Sequence, residues 1–134
     1  MQTRWQVNRF LVVGGLTVLI DLCVYRLLAW LGMDVDVAKA AGFLTGTVFA
    51  YIANRHFTFQ AEGGLAVVAR FCLLYATTLG LNVLVNAGCL RLLPPGETAV
   101  AAAFFVATGL SAVTNFLGMK FFVFPSPRRA DRPT

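Results

Sequence analysis

Charge is what this sequence has least of. Asp, Glu, Lys and Arg supply 13% of its 134 residues against 58% hydrophobic ones, and the mean hydropathy is +0.74. A soluble domain carries about 25% charged residues, so water is not the main solvent of this chain. Histidine occurs once and cysteine three times. Cys23, Cys72 and Cys89 fall in apolar stretches without CxxC spacing, where they act as small hydrophobes and imply neither a disulfide framework nor a metal. No GxGxxG, P-loop, HExxH or GxSxG is present. One histidine and a single mid-segment carboxylate make no triad, so neither an enzyme nor a cofactor is expected. The basic residues flank apolar runs instead of forming a soluble face, which speaks against nucleic-acid readout.

What is present is length for crossing a bilayer. About 20 apolar residues at 1.5 Å rise span a hydrocarbon core of about 30 Å. Four runs qualify, 10–31, 37–53, 67–93 and 99–121. The first is too long for the core of a secretory signal and contains Asp21 and Arg26, so it reads as a retained span. Every backbone polar group inside hydrocarbon must be paired internally, and no run shows the alternation of a barrel strand, so the spans are helices. The expected fold is all-α and polytopic, one transmembrane domain over 1–134. Arg4, Arg9, Arg55, Arg70, Lys120, Arg128, Arg129 and Arg132 lie on one side of these spans and only Lys39 and Arg91 on the other, which predicts cytoplasmic N- and C-termini. The short connections 32–36 and 94–98 close tight antiparallel hairpins.

The chain also repeats itself. A shift of 61 residues places Arg9 and Phe10 on Arg70 and Phe71, Thr17 on Thr78, Asp21 on Asn82, and Tyr25 on Asn86. A shift of 65 places Gly42 on Ala107, Gly46 on Ser111, Ala50 on Asn115, Arg55 on Lys120, and 57–59 on 122–124. The larger second shift reflects a longer connection in the second copy, and loop insertions cost little. Repeat 1 covers about 9–59 and repeat 2 about 70–124. Each holds two spans, so both copies enter from the same side, the signature of a parallel repeat.

Polar residues fall on stripes. Thr17, Asp21 and Tyr25 recur every four residues, as do Thr78, Asn82 and Asn86, so each set lines one helix face. Gly42, Gly46 and Ala50, with Ala107, Ser111 and Asn115, form small-xxx-small faces suited to close helix packing, and Asn115 stands out among them as a polar candidate. An ionised Asp21 in mid-span costs about 2.5–3.5 kcal/mol, so it faces protein or water. Two roles remain open for it: a coordinating or proton-accepting group in a polar cavity, or an interhelical hydrogen bond to Asn82 or Asn86. Arg26 is expected to snorkel outward. Arg55, His56 and Lys120 stand beside Phe57, Phe59, Phe122 and Phe124, giving cationic donors next to aromatic interface anchors. That combination suits a lipid phosphate, with His56 itself expected as a solvated interface residue.

Taken together, Arg9-Phe10, Gly14-Gly15 and Asp21, the run Asn54-Arg55-His56-Phe57-Thr58-Phe59, Arg70-Phe71 with Asn82, and the run 115–124 resemble the GtrA-like family of four-helix membrane proteins. The likeness covers nearly the whole chain. Met119 stands where the first repeat has Asn54, and Lys120 replaces an arginine, so the two copies are not chemically equivalent. The resemblance implies a bacterial inner-membrane protein that flips a polyprenyl-phosphate-linked sugar across the membrane for cell-surface polysaccharide synthesis. It assigns Asp21, Tyr25, Asn82, Asn86 and Asn115 to a polar groove for the sugar, and Arg9, Asn54, Arg55, Arg70 and Lys120 to the phosphate. A partner glycosyltransferase is implied as well. A bundle of four short helices is too slight to enclose a sugar phosphate, which predicts a homodimer. Two rival functions fit the same composition: a small proton-coupled exporter of the multidrug type cycling protons on Asp21, and a membrane anchor that stabilises a glycosyltransferase without moving anything.

Overall fold

The computed structural model describes residues 2–126; Arg128, Arg129 and Arg132, counted above toward the cytoplasmic C-terminus, lie outside the described residues. The chain forms α1 (Gln2–Trp30), α2 (Val35–Ala53), α3 (Leu65–Leu92) and α4 (Glu97–Gly118). Both α2 and α4 run on into a π-helical turn, Asn54–Thr58 and Met119–Val123. Three segments, Gln2–Trp30, Leu65–Leu92 and Glu97–Val123, are long and apolar enough to cross a membrane, and α2 adds a fourth helix of 19 residues. The protein is a polytopic all-α membrane protein, as its composition requires.

α1 starts well before the apolar run at residue 10, so the charged turns holding Arg4 and Arg9 are helical too. Its 29 residues extend about 43 Å at 1.5 Å each, more than the hydrocarbon core, which leaves Trp5 and Arg9 at interfacial depth.

The chain divides into two compact units, Met1–Glu62 and Gly63–Thr134, each a helical hairpin. In the first, α1 ends in a left-handed glycine, Gly32 at φ 88°. Gly32 N–H donates to Ala29 O and Met33 N–H to Leu28 O, the paired bonds that satisfy the last carbonyls of a helix. Asp34 then opens α2, its Oδ1 accepting from Val37 N–H at 3.2 Å, which satisfies one of the orphan donors of a helix start. In the second unit Leu93 leaves α3 in extended conformation, Pro94 and Pro95 prevent continuation, and α4 begins after Gly96 with Glu97 in its first turn, where a carboxylate complements the helix dipole.

Each hairpin closes on a stripe with a spacing of four. In α2 and its π turn the buried positions are Ala38, Gly42, Gly46, Ala50, Asn54 and Thr58. In α4 and its π turn they are Ala99, Ala103, Ala107, Ser111, Met119 and Val123, with Asn115 half-buried in the same series. A strict spacing of four drifts forward around a helix of 3.6 residues per turn. The π turn closes i→i+5 bonds, Phe59 N–H to Asn54 O and Phe124 N–H to Met119 O, and so rotates less per residue, which brings Thr58 and Val123 back under the stripe. The small side chains set the approach of the helices: a Cβ on Gly42 would lie 2.6 Å from the carbonyl oxygen of Asp21, and one on Gly46 3.2 Å from that of Thr17.

Candidate functional site

At the π-turn end of each hairpin an arginine from the first helix meets the backbone of the second. Arg9 Nη1 donates to Phe57 O at 2.6 Å, and Arg70 Nη1 donates to Phe122 O at 3.1 Å. The shifts that align the repeats carry Arg9 onto Arg70 and Phe57 onto Phe122, so this is one contact made twice. Its cause is local, because a helix that stops leaves its last carbonyls without intrahelical donors. A guanidinium across the hairpin supplies one.

The surroundings differ between copies. The Arg9 guanidinium lies 3.5 Å from the centre of the Trp5 ring and 4.1 Å from that of Phe57, a cation held against two aromatic faces. Position 66 in the second unit is alanine, and Arg70 Nε instead donates back to Ala66 O at 3.4 Å. Arg55 Nε donates to Ala61 O at 3.3 Å, while Ala61 N–H donates to Arg55 O at 2.9 Å; together they tie down the chain where Gln60 takes a positive φ of 50°. The Lys120 ammonium lies 5.5 Å from the Phe121 ring centre and 5.9 Å from that of Phe116. Of the residues assigned to the phosphate, Arg9, Arg55 and Arg70 thus each commit one or two of five N–H donors to backbone oxygens. Asn54 is inside the hairpin, 2% exposed, where its Oδ1 accepts from Thr58 Oγ1 at 2.9 Å.

Nearer the hairpin turn of the first unit, Asp21 forms an ion pair. Lys39 Nζ lies 3.2 Å from both carboxylate oxygens, and 5.6 Å from the centre of the Tyr25 ring. Gly42 makes this possible, since a Cβ there would sit 2.6 Å from Asp21 Oδ1 and 3.2 Å from Tyr25 Cβ. Within its own hairpin the partner of Asp21 is Lys39. Sequence reasoning counted Lys39 only toward orientation and missed it; the available signal was a lone carboxylate in one span with a lone cation early in the next, across a short turn.

The second unit carries no charge at these places. Asn82 replaces Asp21, Asn86 replaces Tyr25, and the shift of 65 places Phe104 on Lys39. Asn82 and Asn86 are half-buried, and among the described residues of their own hairpin their side chains have no hydrogen-bond partner. Asn115 is drawn into the hairpin: its Oδ1 accepts from Thr78 Oγ1 at 3.0 Å, and Ser111 Oγ donates to Thr78 O at 3.4 Å.

The arrangement can do two things chemically. Each π-turn end sets cations beside aromatic rings, a combination that suits an anionic group, and the first hairpin sets an acceptor and a donor of opposite charge side by side. Residues 9–124 match the sequence model of a family described as the GtrA/DPMS transmembrane domain. No solved structure matches the chain.

Proposed function

From the premise that this chain belongs to the GtrA/DPMS transmembrane family, matched across both of its hairpins, we propose that it carries a polyprenyl-phosphate-linked sugar from one leaflet to the other. Membership itself makes it a membrane protein concerned broadly with lipid-linked sugars. The finer reading is that the prenyl tail stays in lipid while the polar head, costly to bury alone, passes along hydrogen-bonding groups of the helices. It is a carrier and not an enzyme in this reading, acts in a bacterial inner membrane with cytoplasmic termini, and works as a homodimer beside the glycosyltransferase that uses its cargo.

The observation that supports it best is the Asp21–Lys39 pair. Ionisable groups within an apolar span are rare and costly unless paired, and a pair kept there marks a functional site by default. Asp21, Tyr25, Asn82, Asn86 and Asn115 are the groups proposed to meet sugar hydroxyls. Arg9, Arg55, Arg70 and Lys120 are proposed to receive the phosphate, through donors beyond those given to backbone carbonyls; Asn54, already bonded to Thr58, supports the turn that carries Arg55. The same pair weighs against a drug exporter, since a cationic drug would have to displace a lysine already seated on the carboxylate.

The test is leaflet-resolved movement of a polyprenyl-phosphate sugar in proteoliposomes. Wild type is expected to move it, and Asp21→Asn to lower the rate by about tenfold, the loss of one charge-assisted contact. Well-folded wild type that moves no such lipid would transfer the function to anchoring a glycosyltransferase.

A further inference from the structure

Lys39 is held differently from the arginines at the π-turn ends. Arg9, Arg55 and Arg70 each donate to a backbone carbonyl, whereas the Lys39 ammonium is held by the Asp21 carboxylate and Lys39 is itself exposed. Its relative exposure is 58%, against 21% for Asp21. A ligand approaching the first hairpin therefore meets a positive and a negative group side by side. The ammonium carries three donors and no acceptor; the ionised carboxylate is acceptor only.

A ligand that fits must bring an anion for the ammonium and hydroxyl donors for the carboxylate, a few ångströms apart. A glycosyl phosphodiester has that layout, with the phosphate on the anomeric oxygen and ring hydroxyls beside it. A plain phospholipid phosphate satisfies the lysine but leaves the carboxylate stripped of its counter-ion, and an uncharged sugar does the reverse. Each half-match strands a charge in low dielectric, which is the costly outcome. The empty state stays inexpensive because the two groups neutralise one another.

We infer that Lys39 is a substrate-phosphate residue and that the Asp21–Lys39 pair is opened by its ligand, the phosphate of a lipid-linked sugar taking the ammonium while the sugar hydroxyls take the carboxylate. The inference rests on the carrier reading and deepens it, adding a residue and a recognition rule. It also confines the rule to one hairpin, because Asn82 and Phe104 stand at the matching places of the other.

Binding is measured in phosphatidylcholine nanodiscs with three probes of equal chain length: polyprenol, polyprenyl phosphate and polyprenyl-phosphate hexose. Wild type is expected to bind the hexose-bearing probe more tightly than polyprenyl phosphate; Lys39→Gln is expected to weaken the hexose-bearing probe by about tenfold and Lys39→Arg to hold it, while Asp21→Asn weakens the hexose-bearing probe and not polyprenyl phosphate. Polyprenol binding stays constant throughout. The double exchange Asp21→Lys with Lys39→Asp keeps an ion pair and is expected to leave binding impaired. Restoration of wild-type affinity by that exchange would overturn the inference in favour of a purely structural pair. So would unchanged affinity in Lys39→Gln, a wild type that binds neither phosphorylated probe, or displacement of polyprenyl phosphate from wild type by phosphatidylglycerol, which would make Lys39 an ordinary headgroup contact. Because the assay reads no movement, a wild type that binds in this pattern yet fails to cross in proteoliposomes overturns the carrier reading and leaves the ion-pair inference intact. A wild type that crosses with Lys39→Gln unaltered in affinity does the opposite.

Discussion

Asn54 and Met119 occupy the same place in the two repeats, as do Thr58 and Val123, and all four are buried. The exchange is coordinated: a hydrogen-bonded pair in one copy, Thr58 Oγ1 to Asn54 Oδ1 at 2.9 Å, is an apolar pair of similar bulk in the other. Removing one member of a buried pair strands its partner, while replacing both costs little. Thr58→Val alone is therefore expected to destabilise by about 1–3 kcal/mol. The double change Asn54→Met with Thr58→Val is expected to recover most of that loss. Thermal unfolding in detergent, run as a double-mutant cycle, checks both, and strict additivity would sink the account. It also explains in physical terms why the departure at Met119 was visible in the sequence but not interpretable there. A buried asparagine and an exposed ligand asparagine look alike until a partner four residues on is seen to hold the first.

At the scale of elements, the four helices were legible because hydrocarbon thickness and backbone satisfaction leave few alternatives, and the small-residue stripes of α2 and α4 face their partners as their spacing implies. The π turns were not legible. Nothing in 54–58 or 119–123 marks a turn that closes at i→i+5, since the choice is made by the neighbouring helix that the stripe must keep facing. Nor does a sequence show whether an arginine at a span end addresses lipid or backbone, because both uses favour interfacial depth. Arg9→Ala is expected to remove both the cap on Phe57 O and the stacking on Trp5 and Phe57, whereas Arg70→Ala removes hydrogen bonds alone. The first should cost about 1–2 kcal/mol and the second about half as much. Amide exchange reports it locally: protection at Phe59 and Ala61 should fall in Arg9→Ala while α3 and α4 keep theirs. Equal loss in both hairpins would show that the arginine acts on the whole fold and not on its own turn.

For the whole molecule, charge asymmetry around the spans predicts which side each connection faces, and three of the arginines behind that prediction lie outside the described residues. A cysteine introduced at Glu62 in a background without Cys23, Cys72 and Cys89 is expected to react with an impermeant thiol reagent only after the inner face is opened. One at Pro95 should react in intact cells. The reverse pattern would invert the topology and with it the assignment of the π-turn ends to the cytoplasm. The site was less legible than the fold at this scale as well. Asp21 and Lys39 are separated by a turn, and their pairing depends on a missing Cβ at Gly42, a property of two helices in contact and not of either alone.

Duplicated hairpins that remained chemically identical would present a ligand with two seats of equal merit and no reason to prefer one. Here the symmetry lies in the arginine over each π turn, while the charged pair stands in one copy and asparagine and phenylalanine stand at the matching places of the other. The difference lifts a degeneracy: in the carrier reading proposed above, a charged ligand tells one hairpin from the other by side chains alone, without any change to the backbone that carries them.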